Sequence, residues 1–287
     1  MKISTEIASA SKIVGEEKAI ELIAKAGFDG WDFSMFSMAR YNWGTRKIEP
    51  SDHPLSGANA LSFVKKLKKI GLDNGITCNQ SHAPFPTCCD EIRSKYKLAI
   101  ECTAEAGGNI CIIHPDNDKS PVENAEIYFE LLPFAKACGV KIATENMWNW
   151  DNVKNQASPA ACSSSESFVA HLKAVNDDYF VACLDIGHAE MKGLNTSAVE
   201  KIKAIGGKLQ ALHIHDNDLW HDSHQIPYSM SIDFGAVVKA LKEIGYSGYF
   251  TLEADAYLNK FDKFTVVDGI KNLHDSVKKL AEEFESL

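Results

Sequence analysis

The sequence predicts an α/β protein that folds as a single (β/α)8 barrel, and three observations support this prediction. Eight short runs rich in β-branched residues alternate with longer segments in which apolar residues recur every three or four positions. The 287 residues divide into eight units of about 36 residues, which is enough for a strand, a helix and two loops. No stretch between these units is left to serve as a linker to a second domain, so residues 1–287 are predicted to form one domain.

The predicted strands follow one another along the chain: Lys2–Ile7, Phe28–Phe33, Ile76–Ser81, Asn109–His114, Val140–Glu145, Phe180–Asp185, Leu209–His215 and Tyr249–Glu253. The segments between them have the apolar spacing of amphipathic helices, among them Glu16–Ala26, Asp90–Ala106, Val122–Cys138 and Phe234–Ile244. An open, doubly wound sheet is the alternative, because periodicity does not reveal whether the sheet closes. The chain contains neither GxGxxG after the first strand nor GxxxxGK[ST], so nucleotide-binding versions of that alternative lack their signature.

The composition is that of a globular protein, with 45% hydrophobic and 24% charged residues. The formal net charge is −9, from 30 basic and 39 acidic residues, and such a surface does not attract a phosphate backbone. The eight cysteines form no CxxC pair, and the N-terminus lacks the apolar stretch of a signal peptide. No run approaches the ~18 apolar residues of a membrane span, so we expect a cytoplasmic protein with reduced thiols that binds neither membrane nor nucleic acid.

Two long loops are expected at the end of the barrel where the strands have their carboxyl ends. Ser34–Ser56 follows the second strand and carries Phe36, whereas Asn146–Ser165 follows the fifth strand and carries Trp148. Active sites of (β/α)8 barrels are built at this end, and aromatic side chains there are typical of the walls of a ligand pocket. Phe36 and Trp148 are therefore predicted to contact a substrate.

Side chains that bind metals stand at the ends of six successive predicted strands, from the third to the eighth. They are His82, His114, Glu145, Asp185 with His188, His213 and Glu253, and the loop after the seventh strand adds Asp222 and His224. Taken singly, each is better interpreted as a hydrogen-bonded core residue or a helix cap. Together they would meet in a closed barrel, where buried carboxylates repel one another and lose their hydration. A divalent cation offsets that cost, and oxygen with imidazole ligands suits Mn²⁺, Mg²⁺, Co²⁺, Fe²⁺ or Zn²⁺.

Several of these strand ends resemble motifs of the xylose isomerase-like superfamily of TIM barrels. The similar stretches are Glu145-Asn146, LDIGHA at 184–189, HIHDND at 213–218, IDF at 232–234 and LEAD at 252–255. The superfamily includes sugar isomerases, ketose 3-epimerases, hydroxypyruvate isomerase, inosose-processing enzymes and endonuclease IV. By this resemblance, one metal ion would be held by Glu145, Asp185, His213 and Glu253, and His188 would lie beside it and contact a substrate oxygen.

The resemblance implies a sugar isomerase or epimerase that removes a proton next to a carbonyl and passes through an enediolate. The metal would polarise the carbonyl as a Lewis acid. Glu145 and Glu253, on the fifth and eighth strands, would bind the metal and also act as the acid and the base. No phosphate-binding glycine loop or arginine cluster follows the last two strands, which favours an unphosphorylated small sugar or keto-polyol. A keto-sugar or inosose dehydratase or lyase would use the same proton removal and stays open.

Endonuclease IV is the rival interpretation, because its site of three zinc ions uses nine ligands and all nine find a match here. The five residues beyond the four ligands already named are His82, His114, His188, Asp222 and His224. Three zinc ions would hydrolyse a phosphodiester. The net charge of −9 argues against a DNA enzyme, and the two long loops are aromatic and serine-rich instead of basic. We therefore expect one divalent metal ion, with these five residues contacting the substrate.

A barrel that binds a metal or a sugar without catalysis is a third class of protein, although the intact pair of Glu145 and Glu253 argues against it. Assembly into a homo-oligomer is compatible with the sequence and is not indicated by any motif. His215, two residues after His213, is expected to point to the opposite side of the strand, either as a packed residue or as one that orients a ligand.

Overall fold

Eight parallel strands lie at the centre of the computed structural model, which describes all residues 1–287. In chain order they are β1 (Ile3–Glu6), β2 (Gly30–Ser34), β3 (Thr77–His82), β4 (Ile110–Ile112), β5 (Lys141–Glu145), β6 (Phe180–Asp185), β7 (Leu209–His213) and β8 (Phe250–Leu252). Each of the eight predicted strands is present. The regular pairing of β4 and β7 ends earlier than predicted, before His114 and His215.

The sheet closes on itself. Neighbouring strands pair in the order β7–β6–β5–β4–β3–β2–β1–β8, and every pair is parallel. The two outermost strands meet just beyond β7, where Ile214 pairs with Leu252. The Ile214 amide donates to the carbonyl of Thr251 at 2.9 Å, and the Glu253 amide donates to the carbonyl of Ile214 at 3.0 Å. The predicted (β/α)8 barrel is confirmed, and the open doubly wound alternative is wrong.

Eleven α-helices surround the strands: α1 (Ala8–Val14), α2 (Glu16–Ala26), α3 (Ala60–Asp73), α4 (Asp90–Arg93), α5 (Tyr96–Ala106), α6 (Pro121–Cys138), α7 (Ser165–Val175), α8 (Ile186–Glu190), α9 (Ala198–Ile205), α10 (Phe234–Glu243) and α11 (Val266–Ser286). Short 3-10 helices occupy Phe36–Met38, Pro54–Ser56, Gly206–Lys208 and Tyr257–Lys260. The predicted helix Asp90–Ala106 is two helices, because the Lys95 amide donates to the carbonyl of Ile92, three residues back, and tightens the turn between α4 and α5.

Two layers of apolar residues hold the barrel together. The larger lies between the strands and the helices, and the smaller fills the barrel interior with Ile110, Ile112, Ala143, Val181, Cys183 and Ala211. Alternate residues of a strand face the same side. The interior residues Ala143 and Ala211 are therefore followed, two positions later and on the same face, by Glu145 and His213. The polar residues at the strand ends lie directly on this apolar floor.

Two antiparallel hairpins extend from the long loops that follow β2 and β5. The first hairpin pairs Arg40–Asn42 with Lys47–Glu49, and the second hairpin pairs Trp148–Asp151 with Gln156–Pro159. The sequence predicts these loops but not the strands inside them, because each strand is only three or four residues long. Both hairpins lie at the carboxyl ends of the barrel strands.

A buried lysine fixes the segment that follows the second hairpin. The ammonium of Lys201, on α9, donates hydrogen bonds to the backbone carbonyls of Cys162 and Ser163. The side chain is completely buried, and this burial lowers the pKa of Lys201 to about 8. The two carbonyls accept from the ammonium and offset part of the cost of placing it in the interior.

None of the helices is both long and apolar enough to cross a membrane. All eight cysteines are free, and five of them are buried: Cys78, Cys102, Cys111, Cys162 and Cys183. Buried thiols of this kind pack as small hydrophobic groups.

Replacing Lys201 by Met should change how stability depends on pH. The folded pKa of about 8 lies below the ordinary 10.5, so between these values the unfolded chain binds more protons at Lys201 than the folded chain does. The free energy of unfolding of the wild type should therefore rise, relative to Lys201→Met, by up to roughly 3 kcal/mol from pH 8 to pH 10.5. Denaturant unfolding measures this difference. Lys203→Met, at an exposed position of the same helix, is the control, and a pH-independent difference for Lys201→Met would contradict the assignment.

Candidate functional site

A cavity of about 530 Å³ opens at the carboxyl ends of the barrel strands. Nine of the predicted site residues line it: Phe36, His82, His114, Glu145, Trp148, His188, Asp222, His224 and Glu253. The other two, Asp185 and His213, are buried behind them. The structure thus brings together all the side chains at the strand ends and in the two long loops that the sequence predicts for the site.

The four predicted metal ligands form the innermost group. The ligand atoms of Glu145, Asp185, His213 and Glu253 all lie within 4.8 Å of one another. His213 Nδ1 is 2.8 Å from Glu145 Oε1 and 3.3 Å from Glu253 Oε2. Atoms that bind one small cation at about 2.0–2.2 Å are separated by distances of this size. Four residues, supplied by β5, β6, β7 and the residue after β8, could therefore hold one divalent cation.

A second group adjoins the first through Glu145. His82 Nε2 lies 2.8 Å from His114 Nε2, which in turn is 3.1 Å from Glu145 Oε2. The ring of Phe36 packs edge-on against His82 at a centroid distance of 4.9 Å. Phe36 therefore covers this group, as its position in the loop after β2 predicts.

A third group lies on the other side of the innermost one. Asp222 Oδ2 is 3.2 Å from both His188 Nε2 and His224 Nε2. Trp148 approaches His188 with a ring-centroid distance of 6.3 Å. The three groups are contiguous, and each has at least three atoms that could bind a metal.

Hydrogen bonds at the far ring nitrogen determine how three of these histidines face the cavity. Nδ1 donates to a backbone carbonyl at 2.6 to 2.9 Å in each case: His82 to Ala83, His188 to Asn146, and His224 to Glu253. A carbonyl oxygen only accepts, so a proton resides on Nδ1 and Nε2 is the atom that faces the cavity. Imidazoles held in this way are typical of metal ligands.

His213 is held in the opposite orientation by a residue that the strand-end pattern missed. Its Nε2 lies 3.1 Å from Oδ2 of Asp32 on β2, and Gln80 on β3 donates to the same oxygen at 2.8 Å. A carboxylate behind a metal-binding imidazole fixes its tautomer and makes it a stronger ligand. The signal in the sequence is an aspartate between Trp31 and Phe33 in a buried strand, where a charge requires a partner.

His215 also faces the site, so the expectation that it points away from His213 is wrong. Residues two apart on an extended chain share a face. His215 Nε2 lies 3.1 Å from Asp185 Oδ1, and its ring stacks on that of His224 at a centroid distance of 3.9 Å. The ring also fills the space beside Gly187, where an added Cβ would lie 1.9 Å from His215 Cε1. This contact explains why glycine occupies that position of LDIGHA.

Asp216 holds the loop that carries Asp222 and His224. Its buried carboxylate accepts hydrogen bonds from four backbone amides, those of Asn217, Met230, Ser231 and Ile232. The backbone of Asp216 also exchanges two hydrogen bonds with Gln225, of 2.7 and 3.0 Å. The loop is thereby tied down directly after His224 and at its far end, which places both side chains over the barrel.

The charges of the innermost groups depend on one another. Burial opposes the charge of Glu145, but His213 and His114 hold the pKa of its carboxyl well below the ordinary range. Burial, reinforced by Glu145, raises the pKa of Glu253 to about 7. Burial and the neighbouring His82 lower the pKa of His114 to about 4. His114 is therefore a neutral imidazole near pH 7, which is the form that binds a metal.

Two observations show that the residues present fit a divalent cation. Among the buried polar atoms that have no hydrogen-bond partner are three of the site, Asp185 Oδ2, Asp222 Oδ1 and His215 Nε2. His215 Nε2 lies near both carboxylates but without hydrogen-bond geometry. Six carboxylates line the cavity and no lysine or arginine does, the six being Asp116, Asp118, Glu145, Asp222, Glu253 and Asp255. Unpaired polar atoms and clustered carboxylates cost free energy, which a cation with oxygen and imidazole ligands offsets.

The closed barrel and its cluster of histidines and carboxylates define a (β/α)8 protein with its site at the carboxyl ends of the strands. Residues 20–283 match the family model described as the xylose isomerase-like TIM barrel. The chain belongs to this family, as its motifs predicted. It is 30% identical to an uncharacterised protein of Methanocaldococcus jannaschii, over 82% of this chain and 78% of that protein. It is 25% identical to an inosose isomerase of Bacillus subtilis, over 80% of this chain and 77% of that protein.

Solved structures share the fold over the full length of the chain at low sequence identity. The IOLI protein, crystallised with a bound zinc atom, superimposes with a TM-score of 0.74 at 19% identity, covering 100% of both chains. A D-psicose 3-epimerase from Clostridium cellulolyticum H10, crystallised with D-tagatose, superimposes with a TM-score of 0.70 at 17% identity, covering 98% of this chain and 99% of that one. At these identities the likeness concerns the fold.

Replacing Asp32 by Asn should weaken metal binding by about 10- to 100-fold, because an amide supports the Nε2–H of His213 less strongly than a carboxylate does. Competition with a chromophoric chelator for Mn²⁺ or Zn²⁺ measures the affinity. Asp29→Asn, at an exposed position three residues earlier, is the matched control and should leave it unchanged. Equal affinities of wild type and Asp32→Asn would show that Asp32 does not orient a metal ligand.

Proposed function

We propose that this chain is a divalent-metal-dependent isomerase or epimerase of a small, uncharged sugar or keto-polyol. One observation carries the proposal: Glu145 and Glu253 approach the same nitrogen of His213 at the inner end of a cavity that no lysine or arginine lines. Two carboxylates beside one cation site can remove and return a proton next to a carbonyl. A cavity whose charged groups are carboxylates and histidines favours an uncharged substrate.

Under this proposal, Glu145, Asp185, His213 and Glu253 would hold one divalent cation, which is Mn²⁺, Mg²⁺, Co²⁺ or Zn²⁺ by its ligand types. When bound, the cation would draw electrons from the substrate carbonyl and make the neighbouring C–H more acidic. Asp32 keeps His213 in the tautomer that presents Nδ1 to the site. The apolar floor below these residues excludes water from one side of the reacting carbons.

Glu145 and Glu253 are proposed to exchange the proton, one taking it from carbon and the other returning it. Return to the opposite face of the same carbon inverts the centre. Return to the former carbonyl carbon moves the carbonyl along the sugar, provided that a proton also passes from the neighbouring hydroxyl to the former carbonyl oxygen. Loss of a hydroxyl from the next carbon at that stage would make the same site a dehydratase or lyase. Analysis of the products distinguishes these outcomes.

The remaining polar groups are proposed to bind the hydroxyls of the substrate. The Nε2 atoms of His82, His188 and His224 are turned to the cavity by their Nδ1 hydrogen bonds. His114 and Asp222 line the same surface. Together these five residues could fix several hydroxyls at once, and the rings of Phe36 and Trp148 would close the sides of the site.

Similar proteins support the reaction class. The relative from Bacillus subtilis is named an inosose isomerase, and the same fold is found in a D-psicose 3-epimerase crystallised with D-tagatose. Inosose, D-psicose and D-tagatose are uncharged polyhydroxy ketones. A cavity with six carboxylates and no lysine or arginine suits compounds of this kind better than sugar phosphates.

The three contiguous ligand groups favour one second candidate, a phosphodiesterase with three zinc ions like endonuclease IV. Seven of the nine matching residues line the cavity, Asp185 and His213 are buried behind them, and the three groups share or adjoin one another. The charge of the cavity weighs against this candidate, because a DNA backbone requires a basic footprint. We therefore rank the sugar isomerase or epimerase first.

Replacing Glu253 by Gln should lower turnover by at least about a hundredfold, because the amide neither takes nor returns a proton. Turnover is followed on a panel of uncharged ketoses, and bound metal is measured on the same sample. Glu243→Gln, at an exposed glutamate of α10, should behave as the wild type. Unchanged turnover of Glu253→Gln with metal retained would remove Glu253 from the mechanism.

Metal content separates the two candidate functions. Elemental analysis should find about one Mn²⁺, Mg²⁺, Co²⁺ or Zn²⁺ per chain, and EDTA should abolish turnover until Mn²⁺ or Zn²⁺ is restored. About three Zn²⁺ per chain, together with cleavage of DNA at an abasic site, would support the phosphodiesterase instead. Sugar turnover that survives complete removal of metal would contradict both.

A further inference from the structure

The cavity is larger than one sugar requires. Its volume is about 530 Å³. Even if each of the twelve heavy atoms of a hexose filled the ~30 Å³ that a water molecule takes in the liquid, about a third of the cavity would stay free. The histidines and carboxylates that meet around His213 occupy the inner end, so the free volume lies between the loops.

Aromatic rings from both hairpins line this outer part of the cavity. Trp43 lies at the turn of the first hairpin, and Trp148 and Trp150 lie in the first strand of the second hairpin. Because Trp148 and Trp150 are two residues apart on a strand, they share a face. The ring of Trp148 is 6.3 Å from that of His188 and 6.2 Å from that of Trp150. The rings thus lead outward from the proposed catalytic end in steps of about one sugar ring.

This aromatic wall is held in place before any ligand binds. Asn117, in the loop after β4, donates to the backbone carbonyl of Trp148 at 3.2 Å and to the side-chain oxygen of Asn149 at 3.0 Å. The ring of Trp150 stacks on that of His221, with centroids 6.0 Å apart and planes inclined by 24°. The second hairpin is therefore fixed to loops on both of its sides. Because the tryptophans are already ordered, binding of a ring costs little conformational entropy.

The charge of the outer part restricts what can lie there. Asp116, Asp118 and Asp255 line it in addition to the carboxylates of the inner end, and no lysine or arginine lines the cavity. Lys119, outside the cavity, lies 3.7 Å from Asp116 and offsets one of these charges in part. A phosphate or a carboxylate on the ligand would be repelled. An uncharged ring has C–H groups that pack on an indole face, so the chemistry of the wall suits a neutral sugar ring or a neutral aromatic ring.

We propose that the substrate is a neutral glycoside, in which a carbonyl-bearing sugar is joined to a second uncharged ring that packs on Trp148 and Trp150. This inference rests on the proposed function, and it names the substrate class of the same site. The reacting sugar lies between His188 and the pair of Glu145 and Glu253. The second ring lies one ring length farther out, and the glycosidic bond stays intact because only a C–H proton is moved.

Calorimetric titration of the Mn²⁺-loaded protein tests the proposal directly. The ligands are analogues of the proposed substrate that carry a hydroxyl in place of its carbonyl. For glucose, galactose and mannose in turn, they are the methyl glycoside, the phenyl glycoside and a disaccharide that carries the same sugar. In at least one series, the phenyl glycoside or the disaccharide should bind about tenfold more tightly than the methyl glycoside, the gain expected for a stacked ring. A gain for the phenyl compound alone identifies an aromatic second ring, and a gain for the disaccharide alone identifies a sugar. Equal affinities throughout all three series would overturn the proposal.

Variants locate the second ring. Trp150→Ala should remove most of the gain and leave the affinity for the methyl glycoside unchanged, whereas Trp150→Phe should keep part of the gain. Trp220→Ala, which removes a half-exposed tryptophan outside the cavity, should have no effect. An undiminished gain in Trp150→Ala would overturn the assigned position. Failure of the proposed function would give a different result. The phenyl glycoside or the disaccharide would still bind more tightly than the methyl glycoside, but no hydrogen next to a carbonyl would exchange with solvent.

Discussion

The burial of Glu145 and Asp185 side by side is the constraint on which the site depends. Glu145 is 1% exposed and Asp185 is not exposed at all, so neither carboxylate can rely on water to stabilise its charge. His213 faces Glu145 and is held in position by Asp32. His215 faces Asp185, and its ring fits into the space beside Gly187. Asp185 Oδ2, Asp222 Oδ1 and His215 Nε2 still lack hydrogen-bond partners, and a divalent cation could satisfy them.

The strand pairing that closes the barrel also brings two residues of the site together. The bridge that closes the ring pairs Ile214 with Leu252. Ile214 directly follows His213, and Leu252 directly precedes Glu253. A slip of one residue in this register would turn one of these two side chains away from the other. The apolar residues one step below, in the barrel interior, make that slip unfavourable.

The sequence predicts the fold and most of the site because both follow from local patterns. β-Branched runs mark the strands, and a polar residue directly after each run marks the rim of the barrel. Asp32 was missed because its partner His213 is 181 residues away, and only the closed barrel brings them together. His215 was assigned to the wrong side of its strand, and its contact with Gly187 shows why the correct side matters. The two hairpins were expected only as loops, because their strands are too short to show a periodic pattern.

Shape and charge divide the cavity into two parts with different tasks. The inner part is formed by strand ends, whose positions are fixed by the barrel, and it suits proton transfer, which depends on accurate placement. The outer part is formed by hairpins and loops, which differ more readily between related barrels than the strands do. Substrate selection is therefore expected to depend on the hairpins, and reaction type on the strand ends.

Proton exchange with solvent tests the central claim most directly. The Mn²⁺-loaded protein is incubated in D₂O with uncharged ketoses, among them D-psicose, D-tagatose and inosose, and with keto-glycosides, and NMR follows the hydrogens next to the carbonyl. The account predicts that deuterium enters at a carbon adjacent to the carbonyl of at least one of these compounds, and that Glu253→Gln prevents it. Retention of every such hydrogen by fully metal-loaded protein, together with cleavage of abasic-site DNA, would contradict the account.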